Sequence, residues 1–388
     1  MLGRGRTGNA KFVKQINRQG ILYQLKKRGQ MSRADLAKHT ELSRPCVSAL
    51  VDELIQEGLI HEVGVGESKG GRRPILLEYN SQAQLVVGAV FEGSMLHMAI
   101  ADLHGDLLAR YHTRLVQPTD GETATQSLEA GLAALLAETG FEKDRLLGMG
   151  LGLPGITRKR NGTVSYAPST GWMGLPVQQE MEARLGVPVT IDNDVNMMTL
   201  GEYYRGVGKG VSNLVYMYVG TGIGAGIVID GQFYRGSTEA AGEIGYMMIG
   251  PVRKCSPGGY GAFEQNYAVP GVMDKAMAIL PETDPAVSVV KQLVQAAGTN
   301  AAARQLLEDV YQHWALGMAN LVSVLDPELL VLSGEMIHIG KAGKNRMEEL
   351  LRQWVPVVPQ ITFATLGEQA GLVGAVFSVL EPFPKQVT

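Results

Sequence analysis

The spacing of apolar residues changes character near residue 84, and that change limits the chain to at least two folding units. Before it, apolar residues recur at helical intervals behind polar caps: Ile16, Ile21, Leu22 and Leu25 within 13–27, Leu36 and Ala37 behind Ser32, and Val47, Leu50, Val51, Leu54 and Ile55 behind Ser43. From Gln84 onward, short strand-like runs alternate with helical stretches, the pattern of an α/β architecture. At 388 residues the chain is long enough for two or three domains. The division expected is 1–80 and 84–388.

The first segment predicts three helices and a β-hairpin. Ser32 opens a short helix, Thr40, Glu41 and Leu42 form a turn, and Ser43 caps the next helix. Pro45 is tolerated in that helix's first turn, where no intrahelical N–H is needed. Residues 61–63 and 75–78 read as two strands joined by Lys69, Gly70, Gly71, Arg72, Arg73 and Pro74. Residues 1–80 hold 14 Lys/Arg against 8 Asp/Glu, a net of +6, whereas the other 308 residues hold 21 against 30, a net of −9. A basic head on an acidic body suits a polyanion partner. The order of elements is that of a winged helix-turn-helix, which carries double-stranded DNA as the expected partner. The start of its second helix reaches base edges, so Ser43, Arg44 and Ser48 are the candidate groove contacts. Arg33 is a candidate phosphate contact, and Arg72 and Arg73 suit a narrow minor groove. The alternative is a small helical domain that binds another protein.

In the body, strands are expected at 85–91, 95–102, 107–113, 146–153, 187–191, 213–219, 226–229 and 329–332, and helices at 124–139, 195–204, 302–325 and 371–380. The glycines of 220–226 form a loop able to cradle an anion or bring backbone close to a ligand, although a plain glycine hairpin fits equally. Asp192, Asn193 and Asp194 end one strand and start a helix, a place where α/β folds bind ligands. Asp194 is placed to take a proton from a hydroxyl, or simply to cap its helix. Glu243 and Glu264 are further acceptors for ligand hydroxyls. Cys46 and Cys255 lie in different expected domains and indicate no disulfide framework. No apolar run reaches the roughly 18 residues of a membrane span, and the basic stretch 1–20 lacks the apolar core of a secretory leader. A cytoplasmic protein with no membrane partner is therefore expected.

Six stretches, in this order, resemble the ROK family (repressors, open reading frames and sugar kinases): residues 150–155, 167–172, 192–196, 218–226, 242–245 and 325–334. The resemblance covers nearly the whole chain and, with the N-terminal head, matches the layout of the family's repressor branch. It implies a winged helix-turn-helix followed by a two-lobed actin-like (ribonuclease-H-like) domain that holds sugar between its lobes. Family sugar contacts fall on Asn193, Asp194, Glu243 and Glu264. Two departures matter. The kinases' Asp-x-Gly-Gly-Thr motif aligns with residues 90–94, where Val90 replaces the acid that organises metal and phosphate and Glu92 replaces a glycine. The zinc-binding His position holds Tyr246, and the three cysteine positions hold Cys255, Pro257 and Ala262. The expectation is therefore no ATP use, no zinc, and an Asp194 equivalent to the kinase base but non-catalytic, with Tyr246 beside the sugar. A sugar or sugar phosphate is the expected ligand, and a homodimer or homotetramer on an inverted-repeat operator the expected assembly. The rivals are a sugar kinase with a regulatory DNA-binding head, and a repressor controlled by a protein partner with a vestigial cleft.

Overall fold

The computed structural model describes residues 10–67, 73–115, 120–166, 174–249, 261–280, 283–284 and 287–380. The chain divides into two compact units, Met1–Leu85 with Asp102–His104, and the remainder.

In the first unit, α1 (Ala10–Arg28), β1 (Met31–Ser32), α2 (Arg33–Thr40), α3 (Arg44–Gln56), β2 (Ile60–Val65) and β3 (Ile75–Tyr79) follow in order, with the strands arranged β1-β3-β2. Ser32 and Asp35 form a reciprocal capping box at the start of α2: each side chain accepts a hydrogen bond from the other's backbone N–H. The Ser43 hydroxyl accepts from the Cys46 N–H at the start of α3. Ile21, Leu25, Leu36, Val47, Val51, Leu54, Ile60 and Leu77 close a continuous core. Ile16, expected to face that core, is instead half exposed, because only the C-terminal half of α1 lies over it. The strand β1, two residues long, carries no periodic signal and was not expected.

The second unit is built on two five-stranded sheets. The first includes β4 (Leu85–Glu92), β5 (Met95–Asp102) and β6 (Leu107–Arg114), backed by α4 (Gly121–Thr139), and continues through β7 (Leu146–Leu153). A small hairpin, β8 (Ile156–Arg158) with β9 (Thr163–Tyr166), and α5 (Val177–Leu185) lead to β10 (Val189–Asn193), giving the order β10-β7-β4-β5-β6. Then α6 (Asp194–Arg205) crosses to β11 (Leu214–Val219), β12 (Ile223–Ile229) and β13 (Gln232–Phe233). The helices α7 (Ala262–Tyr267), α8 (Val269–Met277), α9 (Val289–Ala296) and α10 (Ala301–Leu325) follow, before β14 (Leu329–Gly334), α11 (Gly340–Trp354), β15 (Gln360–Phe363) and α12 (Gln369–Leu380). The second sheet has the order β13-β12-β11-β14-β15, with β11, β14 and β15 parallel.

Helices α6 and α12 pack against each other between the sheets. A Cβ at Gly374 would lie 1.7 Å from the Met197 carbonyl oxygen, and one at Gly201 would lie 2.0 Å from that of Ala370. Only glycine permits this backbone-to-backbone crossing. The second lobe's core surrounds α10, where Trp314 is fully buried and donates its indole N–H to the Tyr267 carbonyl at 3.1 Å. Among the described residues no helix is long and apolar enough to cross a membrane.

Candidate functional site

In the first unit, the side chains at the start of α3 divide into used and unused groups. Arg44 is exposed and pairs with no described residue. The Ser43 hydroxyl is occupied by its capping bond. Arg33 turns inward: its guanidinium meets Asp52 at 2.8 Å and donates to the carbonyl and hydroxyl oxygens of Ser48, both at 3.4 Å. Arg33 thus ties α2 to α3 at the surface, and a phosphate contact would have to share it with Asp52. Ser48 is half-buried beneath that tie. Arg73 is exposed just before β3, and Arg72 lies outside the described residues.

In the second unit, the end of β10 and the start of α6 form one wall of a cleft of about 220 Å³. Asp192 anchors this corner. It is 1% exposed and accepts four hydrogen bonds, from the Asn193 N–H, the Asn196 amide and two nitrogens of Arg235. Asn193, rather than Asp194, caps α6: its side-chain oxygen accepts from the Asn196 N–H at 3.1 Å, while its amide donates to the Gly155 carbonyl at 2.9 Å. That leaves Asn193 one amide hydrogen and part of its oxygen for a ligand. Asp194, the first residue of α6, accepts from the adjacent Val195 N–H, and among the described residues no side chain donates to it.

The opposite wall comes from the second lobe. The turn between β11 and β12 is shorter than expected, because Ile223–Ile229 is strand throughout. Gly224 and Gly226 lie within that strand. A Cβ at Gly226 would lie 1.9 Å from the Thr199 hydroxyl, so this glycine exists to seat α6 on β12. The anion the turn holds is internal: the Ile223 N–H donates to the Glu264 carboxylate at 2.8 Å. Gly242, at φ 94°, would clash with the Ala225 carbonyl if it bore a side chain, and this close turn carries Glu243 to the cleft. The Glu243 carbonyl accepts from the Tyr246 N–H, but its carboxylate accepts no hydrogen bond from any described residue. Tyr246 ends the following 3-10 turn and also lines the cleft.

These groups share a poorly solvated space. Burial, with Glu92 and Glu243 adding like charge, raises the Asp194 carboxyl to about 7. Burial and the neighbouring Glu264 raise Glu243 to about 7. Burial also raises Glu264, against the opposing Ile223 N–H. Such a cluster of acceptors with few internal donors suits a polyhydroxylated ligand, whose hydroxyls supply the missing hydrogens. The structure brings together Asn193, Asp194, Glu243, Tyr246 and Glu264. Sequence reasoning did not single out Asn196 and Tyr218, although both lie within the quoted stretches 192–196 and 218–226, nor Glu239, which lines the cleft from a loop, nor Arg235, which supports it from behind through Asp192.

The expected nucleotide-motif positions are also fixed. Val90 is 2% exposed, in an apolar cluster with Met197, Met198, Ala370 and Ala375. Glu92 follows at the end of β4 and accepts from the Tyr218 hydroxyl at 3.3 Å. Of the expected zinc positions, Tyr246 and Ala262 cannot serve as zinc ligands of the His or Cys type; Cys255 and Pro257 lie outside the described residues.

Comparison with known proteins places this arrangement. The ROK family profile matches residues 91–381, and the MarR family profile matches residues 17–62. The chain is 31% identical to the xylose repressor of Caldicellulosiruptor bescii, over 89% of this chain and 90% of that one. Its fold matches a ROK family transcriptional regulator, a homologue of the E. coli MLC protein, with a TM-score of 0.78 and 24% identity over 95% of this chain and 96% of that one. A ROK family glucokinase from Streptomyces griseus, solved with glucose and AMPPNP, matches with a TM-score of 0.64 and 25% identity over 75% of this chain and 98% of the other. The two-lobed actin-like body behind a helix-turn-helix head is thus the fold.

Proposed function

The chain belongs to the ROK family, and we propose that it is a sugar-responsive, DNA-binding transcriptional repressor. The observation that carries this reading is the pairing of a carboxylate-lined cleft with an apolar residue at the position of the kinases' acid. Asp194, Glu243 and Glu264 still converge on one space, while Val90 is sealed in hydrocarbon where the kinases' motif carries its acid. Phosphoryl transfer rests on positioning and on neutralising charge, and a valine followed by Glu92 supplies neither. Asp194 then serves as an acceptor for a sugar hydroxyl, without phosphoryl chemistry.

The head supplies the DNA contact. Arg44, exposed at the start of α3 and without a partner among the described residues, is the base-reading side chain of this proposal, and Arg72 and Arg73 reach the minor groove or its phosphates. The protein acts in the cytoplasm as a homodimer or homotetramer on an inverted repeat, matching two-fold DNA with two-fold protein. Neither zinc nor ATP takes part. The fold keeps the segment after Glu243 in place by packing: Ile244 and Phe263 are both buried in the second lobe's core.

Sugar shifts the balance between conformations of the body only by its difference in affinity for them. A sugar that favours the conformation with weaker operator binding relieves repression. Electrophoretic mobility shift on the DNA flanking the gene, with and without a monosaccharide panel, tests the reading. The expected result is a retarded band that a specific sugar weakens. Coupled ATP consumption with the same sugars would replace this reading with that of a kinase carrying a regulatory head. A retarded band indifferent to every sugar, with no heat of sugar binding, would point to control by a protein partner.

A further inference from the structure

Glu92 stands in the wall between two cavities. The inner cleft holds Asp194, Glu243 and Glu264; an outer cavity of about 890 Å³ opens beyond it. Glu92, Gly93, Tyr218 and Thr221 line both. The Tyr218 hydroxyl donates to Glu92 at 3.3 Å, which fixes the carboxylate at this boundary instead of leaving it free in the outer cavity.

The charge on the two sides differs. The inner cleft is lined by five carboxylates, Glu92, Asp194, Glu239, Glu243 and Glu264, and among the described residues that line it there is no Lys, Arg or His. The outer cavity is mixed: Arg110, His97 and His112 line it together with Glu335 and Glu368. Glu92 and Glu243 both lie near enough to Asp194 to oppose its ionisation. A sugar hydroxyl received by Asp194 therefore sits close to Glu92. Burial raises Glu92 as it does Asp194 and Glu243. A phosphate ester on that hydroxyl would meet whichever of them are ionised, in a space with little solvent to screen the repulsion, and would face the protonated remainder without a basic partner in the lining.

We infer that Glu92 is a specificity-determining residue that reserves the inner cleft for uncharged sugars and excludes their phosphate esters. This rests on the sugar-cleft reading above and narrows it. Tyr218 contributes by positioning: its only O–H points at Glu92 and is not available to a phosphate oxygen.

Calorimetric titration of the full-length protein tests the inference. The probes are xylose, glucose, mannose and N-acetylglucosamine, with the 6-phosphates of the three hexoses. The expected result is binding of at least one neutral sugar, with every 6-phosphate at least about tenfold weaker than the best neutral sugar. Glu92→Gln keeps the shape and the acceptor for Tyr218 while removing the charge. It is expected to narrow the gap between neutral sugar and ester by about threefold or more. A 6-phosphate that binds wild type as tightly as the best neutral sugar overturns the inference and leaves the sugar-cleft reading intact. A gap unchanged in Glu92→Gln overturns the role of Glu92. If no neutral sugar and no ester binds, the sugar-cleft reading itself falls, and the inference with it. A 6-O-acetyl sugar separates charge from bulk: exclusion equal to that of the phosphate means that size alone decides, which also overturns the inference.

Discussion

Arg235 holds Asp192 by two hydrogen bonds to one carboxylate oxygen, at 2.6 Å and 3.1 Å, while the other oxygen accepts from the Asn193 N–H and the Asn196 amide. The pair fixes the corner from which Asn193 and Asp194 project. Arg235→Ala leaves a buried carboxylate without its counter-charge. It is expected to destabilise the protein by about 3–5 kcal/mol, measured by urea unfolding, and to weaken sugar binding in any fraction that stays folded. Wild-type stability in this variant would show that Asp192 is held by its backbone and amide donors alone.

Among the described residues the Glu243 carboxylate has no hydrogen-bond donor, and that of Asp194 has only backbone donors at the start of its own helix. Asp194→Asn and Glu243→Gln change volume little and remove an acceptor that sugar hydroxyls need. Each is expected to lower sugar affinity by about tenfold or more, the loss of a charge-assisted hydrogen bond, while operator affinity without sugar stays at the wild-type level. Calorimetry and mobility shift read the two properties separately. A variant that loses DNA binding as well would indicate a structural defect.

The same two groups set a pH dependence. Their ordinary values are 3.8 and 4.5, and both rise to about 7 in the folded protein. A carboxyl raised in this way binds a proton in the folded state before the unfolded chain does. Its stabilisation is complete below the ordinary value and is lost as pH rises through about 7. The melting temperature of the sugar-free protein should therefore fall as pH rises from about 4 to about 7 and level off above that, and Asp194→Asn with Glu243→Gln should flatten that slope. A slope equally steep in the double variant would assign the effect to other groups.

Arg44 and Arg73 make distinct predictions in the head. Arg44→Ala removes a side chain at the start of α3 and should cost about 1–3 kcal/mol against the cognate operator, with less effect on random DNA. Arg73→Ala should weaken all sequences similarly and reduce the slope of log affinity against log salt by about 1. Fluorescence anisotropy over a salt series measures both. Equal losses on operator and random DNA for Arg44→Ala would remove it from base reading.

Much of this fold was legible because the chain marks its elements locally. Ser32 and Ser43 announced two helices, and the strand that ends at Asp192 and Asn193 was visible as an apolar run into polar residues. The glycines of 220–226 misled for a physical reason. Their pattern is compatible with a loop, but Gly224 and Gly226 are required by the helix that packs on them from 25 or more residues away, which no local pattern records. The Asp192–Arg235 pair and the Arg33–Asp52 tie were hidden for the same reason. Each joins residues distant in sequence, and in the first the fold also buries the Asp192 carboxylate.

Val90 shows why restoring a single acid should not restore a kinase. Its side chain packs closely on the backbone at Gly152 and Gly371, within a cluster formed by α6 and α12. Aspartate in that space has no described donor facing it, and it lies two residues from Glu92 on the same strand. Burying an unpaired carboxylate there should cost at least about 2 kcal/mol and keep the group protonated at neutral pH. Val90→Asp is therefore expected to unfold at lower urea concentration than wild type and to consume no ATP with any sugar of the panel. Adding Glu92→Gly removes the repulsion but not the apolar surroundings, so the double variant should remain inactive. ATP turnover by Val90→Asp at wild-type stability would mean that this segment can open to solvent and metal, and that the barrier to catalysis is the missing acid alone.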